Sequence, residues 1–385
     1  MLNSRFLGLI ASFLLLGVLS GCASKNAIEP VDLPKIQTSA EVDVLWDESA
    51  GGDFSAYYQK VYPAVSSQLV YSVGSKGRLR AYQKSDGDSV WSQKLGGPIS
   101  GGAEVGYGDV AVVTTQGELT LFHAETGAIR WQKTLALRVL APPLLTDQAV
   151  IVQSSNDVVM AFDRQTGETR WRYSETLPLV SLWGNNQPQF YNGWVLCALG
   201  NGKLIALDQR TGQLEWERTI GVAKGQGDIE QIVDLDGKFT IADDVLYVGS
   251  YQDNVVAMDL ISGGLLWYQS LSTYNDLSVD ESSLYVVDNE SVIHSLGRYD
   301  GGEIWQSDTL YGRQLSGVGV FENYLAVMDF EGYLHVLDKY TGQLVGRERL
   351  DNEAPAGGFV IENNIGYIIT RNADLNVFTL NPITP

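Results

Sequence analysis

The chain has 385 residues, of which 44% are hydrophobic and 10% aromatic, so it can bury a large core and is not a disordered acidic tail. Acidic residues outnumber basic ones 46 to 26, a net charge of −20, which argues against nucleic-acid binding because no excess cations are available for phosphates. Two cysteines cannot build a disulfide framework, and the 41 glycines indicate many short strands and tight turns.

Residues 1–21 predict a signal peptide. Arg5 supplies the positive charge, and residues 7–19 form an apolar run that is shorter than the roughly 20 residues of a transmembrane helix. The run ends in Leu19-Ser20-Gly21-Cys22, which resembles a bacterial lipobox. We therefore expect Cys22 to carry the lipid of a lipoprotein. The alternative is an ordinary secretory signal with an incidental cysteine.

The residues after Cys22 suggest where the anchor lies. Ala23 and Ser24 include no aspartate of the kind that retains lipoproteins in the inner membrane, so by resemblance to other lipoproteins we expect the periplasmic face of the outer membrane. Residues 22–40 are polar, contain Pro30 and Pro34 and show no periodicity. They are predicted to be the lipidated cysteine and a flexible linker.

The rest of the chain repeats one unit, in which Gly is followed four residues later by Trp. This position is occupied by Trp91, Trp131, Trp171, Trp216, Trp267 and Trp305, and by Gly346 in the last unit. A period of about 40–50 residues is typical of propellers and solenoids. Each unit contains short β-branched and aromatic runs bounded by turn residues, which predicts an all-β fold.

The two ends of the repeat predict how the ring closes. An inner-type strand at residues 375–380 has no Trp strand after it, and a strand ending in Trp46 has no unit before it. If the N-terminal strand completes the last blade, residues 41–383 form one eight-bladed β-propeller of four-stranded antiparallel blades without open ends. We expect the repeat tryptophans and Trp46 to fill the wedges between blades, and the unit with Gly346 to be the least regular.

The positions of several other residues in the repeat indicate structural roles. Asp163, Asp208, Asp259 and Asp338 precede the Gly turns and are expected to stabilise them. Cys197 lies in a predicted strand and is interpreted as a buried small hydrophobic residue.

His294 and His335 occupy the same position in adjacent repeat units. They are interpreted as packing between blades rather than as a metal-binding or pH-sensing pair. Asp234 and Asp236 lack the further oxygen ligands of a calcium loop. No catalytic motif is found, so we expect no catalytic residue, no metal and no cofactor.

The unit A-x-D-x-x-T-G-x-x-x-W resembles the pyrroloquinoline-quinone-type propeller repeat, which occurs in quinoprotein dehydrogenases and in non-enzymatic lipoproteins. With its lipobox, linker and bare blades, the chain resembles the B subunits of the outer-membrane β-barrel assembly machinery. This resemblance implies a non-catalytic scaffold that aids the folding and insertion of barrel proteins. It also implies a partner, the membrane-embedded assembly subunit, which is contacted through its periplasmic domains. Unfolded outer-membrane proteins are a further expected partner, held by β-augmentation.

Two segments carry the resemblance further. Residues 178–184 resemble the family loop P-x-L-S-L-R-G, and residues 227–236 resemble G-D-I-E-x-I-x-D-x-D, loops that dock on the assembly subunit. The implied contact residues are Val180, Leu182, Asp234 and Asp236, with Trp183 in place of the family arginine. Both segments follow Trp strands of successive units and are predicted to lie on one face. In the alternative reading, the apolar residues pack on the propeller and the acids stay solvated.

Two other functions are alternatives to the assembly scaffold. The first is a quinoprotein dehydrogenase, but such enzymes typically carry vicinal cysteines and long inserted loops, whereas Cys197 is the only cysteine after Cys22. The second is a propeller lipoprotein that binds another periplasmic partner. The scaffold in barrel assembly is the favoured interpretation.

Overall fold

The computed structural model describes residues 28–54, 60–174, 186–220, 238–250 and 254–383. These residues form 32 β-strands in eight four-stranded antiparallel sheets, and the described part of the chain includes no helix able to cross a membrane. Innermost strands of successive sheets contact one another around a central channel. The prediction of an eight-bladed β-propeller is confirmed.

The first four blades follow one another along the chain, each running from the channel outward. Blade 1 consists of β2 (Ala64–Val65), β3 (Leu69–Gly74), β4 (Arg78–Gln83) and β5 (Ser89–Lys94). Blade 2 consists of β6 (Ile99–Gly106), β7 (Asp109–Thr114), β8 (Glu118–His123) and β9 (Ile129–Thr134). Blade 3 consists of β10 (Leu144–Leu145), β11 (Ala149–Gln153), β12 (Val158–Asp163) and β13 (Thr169–Ser174). Blade 4 consists of β14 (Gln189–Tyr191), β15 (Trp194–Ala198), β16 (Lys203–Asp208) and β17 (Leu214–Thr219).

The remaining blades repeat this order, and the last one includes the N-terminal strand. Blade 5 consists of β18 (Thr240–Ala242), β19 (Val245–Gly249), β20 (Val255–Asp259) and β21 (Leu265–Gln269). Blade 6 consists of β22 (Ser278–Val279), β23 (Ser283–Val287), β24 (Ile293–Gly297) and β25 (Glu303–Ser307). Blade 7 consists of β26 (Gly319–Val320), β27 (Tyr324–Met328), β28 (Tyr333–Asp338) and β29 (Leu344–Arg349). Blade 8 consists of β30 (Val360–Glu362), β31 (Ile365–Ile369), β32 (Asp374–Pro382) and β1 (Ala40–Ser49).

The ring closes between the two ends of the chain, as predicted. β1 pairs antiparallel with β32 from Ala40 opposite Pro382 to Ser49 opposite Asp374, with one bulge between Val44 and Trp46. Because β1 is the outermost strand of blade 8, the first and last strands of the propeller belong to one sheet.

Antiparallel order gives the propeller two distinct faces. The loop face carries the connections from each outermost strand to the next blade, together with the short links between second and third strands. The turn face carries the other hairpins, including the Gly turns of the repeat. In these turns, Oδ1 of Asp208 accepts from the Thr211 amide at 2.8 Å and from its hydroxyl at 2.9 Å. Asp163, Asp259 and Asp338 make equivalent bonds, so the predicted turn role is confirmed.

The core lies between blades, where tryptophans of the outermost strands contact the next turn. Trp171 packs on Gly212, whose φ is +69°, and a Cβ there would lie 2.5 Å from the indole ring. The Trp171 Nε1–H donates to the Gln209 carbonyl at 2.8 Å. The same pair of contacts is made by Trp46, Trp91, Trp131, Trp267 and Trp305. Cys197 is fully buried in the core between blades 3 and 4, as predicted.

Blades 4 and 5 meet differently from the six pairs that are joined by a tryptophan on a turn glycine. The Arg218 guanidinium covers Gly263, and its Nε–H donates to the Gly263 carbonyl at 3.2 Å. Trp216 instead packs edge-on against Trp194, with ring centroids 6.0 Å apart. The predicted wedge role therefore holds for six tryptophans, whereas Trp216 joins the core without contacting the next turn in this way.

Blade 7, expected to be the least regular, has the same four-stranded order as the others. A Cβ on Gly346 would lie 2.5 Å from the Ala40 carbonyl oxygen. Glycine therefore makes room for the chain that enters β1, in the place where other blades carry a tryptophan.

Candidate docking face

The predicted contact residues lie outside the described residues. This applies to Val180, Leu182 and Trp183, to Asp234 and Asp236, and to the predicted lipidation site, Cys22. The strands on either side of the two segments are described, however. The first segment connects β13 to β14, and the second connects β17 to β18. Both connections run from an outermost strand to the next blade, so their ends lie on the loop face, in adjacent positions around the ring.

The first connection returns to the propeller at a polar contact between blades. Asn186 is buried, and the Gln187 side chain amide donates to Oε2 of Glu104 at 2.9 Å and to the Pro143 carbonyl at 3.0 Å. Glu104 belongs to blade 2 and Pro143 to the connection into blade 3. The end of this connection, at Gln187, is thereby fixed to blade 2 and to the connection into blade 3.

The second connection returns at a buried carboxylate. The Lys238 amide donates to Oδ1 of Asp276 at 3.0 Å, and the same carboxylate accepts from Lys60 Nζ at 3.1 Å and from the Tyr62 hydroxyl at 2.8 Å. Burial alone would raise the pKa of Asp276, but these three donors outweigh it and lower the pKa. One ionised side chain thus joins the connections that enter blades 1, 5 and 6.

Sequence reasoning did not find Asp276. It lies outside the repeat pattern, and Lys60 is more than two hundred positions away in the chain. Without a pairing rule for connections, the sequence offers no signal that these two residues meet.

The central channel encloses a cavity of about 560 Å³ lined by residues of six blades and of the connections that enter blades 3 and 4. Its polar lining comes from Tyr62, Glu104, Gln187, Lys238 and Asp276, which make the contacts described above. Burial raises the pKa of Glu104, while Lys238 and Gln187 oppose the rise. These charged groups bond blade to blade and form no nucleophile–base pair within the described part of the channel.

The channel wall also fastens neighbouring blades on one side of the ring. The Gln189 side-chain Nε2 donates to the Phe239 carbonyl, Thr240 Oγ1 to the Leu277 carbonyl at 2.6 Å, and Ser278 Oγ to the Val318 carbonyl at 2.5 Å. Each donor is in an innermost strand and each acceptor immediately precedes the next innermost strand. The blades that carry the second segment are therefore held rigidly to one another.

A cleft of about 300 Å³ lies between blades 4 and 5. Arg218, Ile220, Val256 and Met258 contribute to its lining. The outermost strand of blade 5 beside it exposes Leu265, Leu266 and Tyr268. Among the outermost strands of the described residues, β1 has two exposed large hydrophobic residues and each of the others has at most one, so blade 5 has the most apolar outer edge.

The two predicted histidines are buried but bond within their own blades. His294 lies 3.4 Å from both Asp288 and Glu303. His335 Nε2 lies 2.8 Å from Oδ2 of Asp329, and burial lowers the pKa of His335 although Asp329 opposes it. Across the described ranges, no three His, Cys, Asp or Glu side chains are grouped so that they could hold a metal ion.

Comparison with known proteins extends over nearly the whole chain. The family model described as outer membrane protein assembly factor BamB matches residues 75–307 and 289–381. The protein of that name from Shewanella oneidensis is 30% identical over 387 residues, covering 97% of this chain and 98% of the relative.

Solved structures agree with this relationship. The crystal structure of BamB from Moraxella catarrhalis matches with a TM-score of 0.80 and 25% identity, covering 88% of this chain and 99% of that one. Quinohemoprotein alcohol dehydrogenase from Comamonas testosteroni has a TM-score of 0.69 at 12% identity, covers 88% of this chain and 76% of its own length, and shares the fold alone. The repeat, the closed eight-bladed ring and the near full-length match show that this chain belongs to the outer membrane protein assembly factor BamB family.

Proposed function

We propose that the protein is a lipid-anchored periplasmic scaffold of outer-membrane protein assembly. It docks on the membrane-embedded assembly subunit through that subunit's periplasmic domains and aids the folding and insertion of β-barrel proteins. Membership of the BamB family, whose relatives are named assembly factors, is the observation that carries the proposal. The Leu19-Ser20-Gly21-Cys22 sequence supports lipidation of Cys22 and a position at the periplasmic face of the outer membrane.

The proposed role is non-catalytic. The ionisable groups of the channel support this, because Asp276 and Glu104 hold blades together through Lys60, Tyr62 and Gln187. A group that serves as a fixed link between blades is poorly placed to exchange protons with a substrate. The likeness to quinohemoprotein alcohol dehydrogenase is one of fold, so it carries no argument for a quinone cofactor.

The proposed docking surface comprises Val180, Leu182 and Trp183 with Asp234 and Asp236. Its support is positional, since both connections start and end on the loop face and belong to successive blades. Long loops on a rigid framework are where binding sites usually occur. Apolar side chains beside acidic ones would give an apolar centre with a polar rim, as protein interfaces commonly have.

A second candidate contact is with unfolded barrel proteins at the outer edge of blade 5. Leu265 and Tyr268 are 60% and 62% exposed on β21, whose outer edge pairs with no strand among the described residues. An extended apolar strand could add to that edge by β-augmentation. Site-specific photocrosslinking from Leu265, with Glu303 on the outer edge of blade 6 as the matched position, tests this contact. Equal crosslinking of unfolded barrel protein at both positions would contradict it.

Affinity capture from solubilised membranes tests the docking surface. Wild-type protein is expected to recover the membrane-embedded assembly subunit, and Leu182→Glu with Asp234→Lys is expected to recover little. A charge-matched control is Ile129→Glu with Asp86→Lys, two exposed positions away from the loop face. Recovery by the docking variant equal to that by the control would refute the surface.

The anchor is tested separately. Cys22→Ser is expected to move the protein from the membrane to the soluble periplasmic fraction, and to remove incorporation of labelled palmitate. Unchanged membrane association of this variant would overturn the proposed lipid anchor.

A further inference from the structure

The described chain begins with an extended segment that lies against blade 7. This strap, residues 28–39, runs from the loop face to the turn face before it enters β1. The Val31 amide donates to the Tyr311 carbonyl at 3.1 Å near the loop face, and the Ser39 amide donates to the Val345 carbonyl at 2.8 Å at the other end. Backbone hydrogen bonds at both ends fix the path of the strap across the blade.

Two arginines hold the middle of the strap. Arg313 Nη1 donates to the Val31 carbonyl at 3.0 Å, and Arg347 Nη2 donates to the Pro34 carbonyl at 3.1 Å. Arg313 is buried and also bonds Asp329 at 2.8 Å. Charge-assisted hydrogen bonds of this kind are among the stronger ones.

These arginines are themselves held in place. Arg347 Nε donates to Nδ1 of His335 at 3.2 Å, so the neutral ring presents its Nε2–H to Asp329. The donors that bind the strap are therefore preorganised by a buried network within blade 7. Because the arginine side chains are already ordered, binding of the strap does not carry the entropic cost of ordering them.

Two glycines leave space for the strap. Gly312 has a φ of +72°, and a Cβ there would lie 2.9 Å from Ile28 Cγ2 and 3.0 Å from the Glu29 carbonyl oxygen. At the other end, Gly346 leaves room for the Ala40 carbonyl. The two glycines, the backbone hydrogen bonds and the two arginines therefore all support the same path of the strap across blade 7.

From this path we infer that the strap is a fixed arm that turns the loop face of the propeller toward the membrane. The inference rests on the proposed lipidation of Cys22. Ile28 lies beside Gly312 on the loop face, and it is only six residue steps along the chain from Cys22. At about 3.5 Å per residue, this tether spans at most about 21 Å. A chain free up to Ser39 could span about 60 Å and would allow either face to point at the membrane.

The arm reaches the loop face, on which the two connections that contain the proposed docking residues also begin and end. The strap reaches that face at the connection from blade 6 to blade 7, whereas the two segments follow blades 3 and 4. The lipid surface and the assembly subunit would therefore hold the propeller at separate points on one face. The strap makes the docking surface face the membrane-embedded partner before contact.

Energy transfer from the protein to an acceptor-labelled lipid tests the orientation. Lipidated full-length protein is placed in vesicles of phosphatidylethanolamine and phosphatidylglycerol, with a donor on Asn352→Cys or Gln343→Cys. Both positions are exposed in blade 7, the first on the loop face and the second on the turn face. Transfer is expected to be higher from Asn352→Cys, and equal transfer from both positions would overturn the inference.

A variant of unchanged chain length identifies the strap as the cause. In this variant residues 29–36 are replaced by Gly and Ser, and Arg347→Ala is added. The variant is expected to abolish the difference in energy transfer between the two label positions. Arg349→Ala is the control, because it lies on the same strand but contacts Asp351 and Tyr333 and not the strap. A difference that persists in the replaced strap would refute the role assigned to it.

Hydrogen exchange separates the arm from the anchor. The natural strap is compared with the replaced strap in soluble Cys22→Ser protein. The amide of Val31 in the natural strap is expected to exchange more slowly than the amide of residue 31 in the replaced strap. Equal exchange would show that the strap does not bind blade 7, whatever the state of Cys22. Slow exchange in Cys22→Ser protein, together with mass spectrometry that finds no lipid on Cys22 of the wild-type protein, would instead refute the anchor, and with it the orientation.

Discussion

Replacing single tryptophans by alanine is expected to separate the two kinds of contact between blades. Trp171 is only 7% exposed, packs on Gly212 and donates to the Gln209 carbonyl. A buried indole contributes roughly 150–250 Å² of apolar area, or about 4–6 kcal/mol at 25 cal/mol per Å². Measured losses for Trp→Ala are about 3–5 kcal/mol, so we expect about 4 kcal/mol for Trp171→Ala.

Trp216→Ala is expected to be milder. Trp216 is half-buried, and Arg218 rather than the indole covers the turn glycine of blade 5. We expect a loss of about 1–2 kcal/mol, close to an ordinary substitution. The structural reason is that Arg218 and its bond to Gly263 persist in the variant.

Urea unfolding of the soluble Cys22→Ser protein, followed by far-UV circular dichroism, measures both losses. Circular dichroism is preferred because tryptophan fluorescence would report on the deleted residue itself. The comparison is valid where the dependence of unfolding free energy on urea is the same in both variants. Equal losses for Trp171→Ala and Trp216→Ala would refute the distinction between the two contacts.

Three further substitutions test other parts of the framework. Asp276→Asn is expected to cost about 2–4 kcal/mol at pH 7 because Lys60 loses its carboxylate partner. Since the pKa of Asp276 is lowered, its contribution is lost as pH falls below about 4, and unfolding in urea at pH 3 should differ less between variant and wild type. His335→Gln tests a histidine whose pKa is lowered by burial. Wild-type stability should fall as pH drops below about 6.5, because the unfolded state then takes up the proton. The dependence of unfolding free energy on pH in this range should be smaller in the variant. Gly346→Trp, which restores the repeat residue, is expected to lower the melting temperature by disturbing the chain at Ala40, with Gly346→Ala intermediate; a melting temperature at or above that of wild type would contradict the account of the last blade.

The blade count and the ring closure were predictable because each unit carries its own local signals. Asp208, Thr211 and Gly212 form a turn whose bonds span only a few residues, so the same letters give the same structure wherever they recur. The unpaired inner strand at one end and the Trp46 strand at the other then left one way to close the ring.

Contacts set by neighbouring blades were not predictable in this way. The indole of Trp216 packs on Trp194, a residue outside the repeat register, and the repeat gives no information on such a choice between partners. Asp276 meets Lys60 only because both connections end at the channel. The docking residues were identified by resemblance, and they remain predictions because they lie outside the described residues.

Closure of the ring by β1 and β32 also constrains when the molecule can fold. β1 is the first strand synthesised and β32 the last, so blade 8 cannot form until the whole chain is available. Joining ends some 330 residues apart costs roughly 5 kcal/mol of chain entropy, which the long β1–β32 pairing must offset. Until then β1 is an unpaired edge, and its acidic residues Glu41, Asp43 and Asp47 would oppose pairing with the wrong strand.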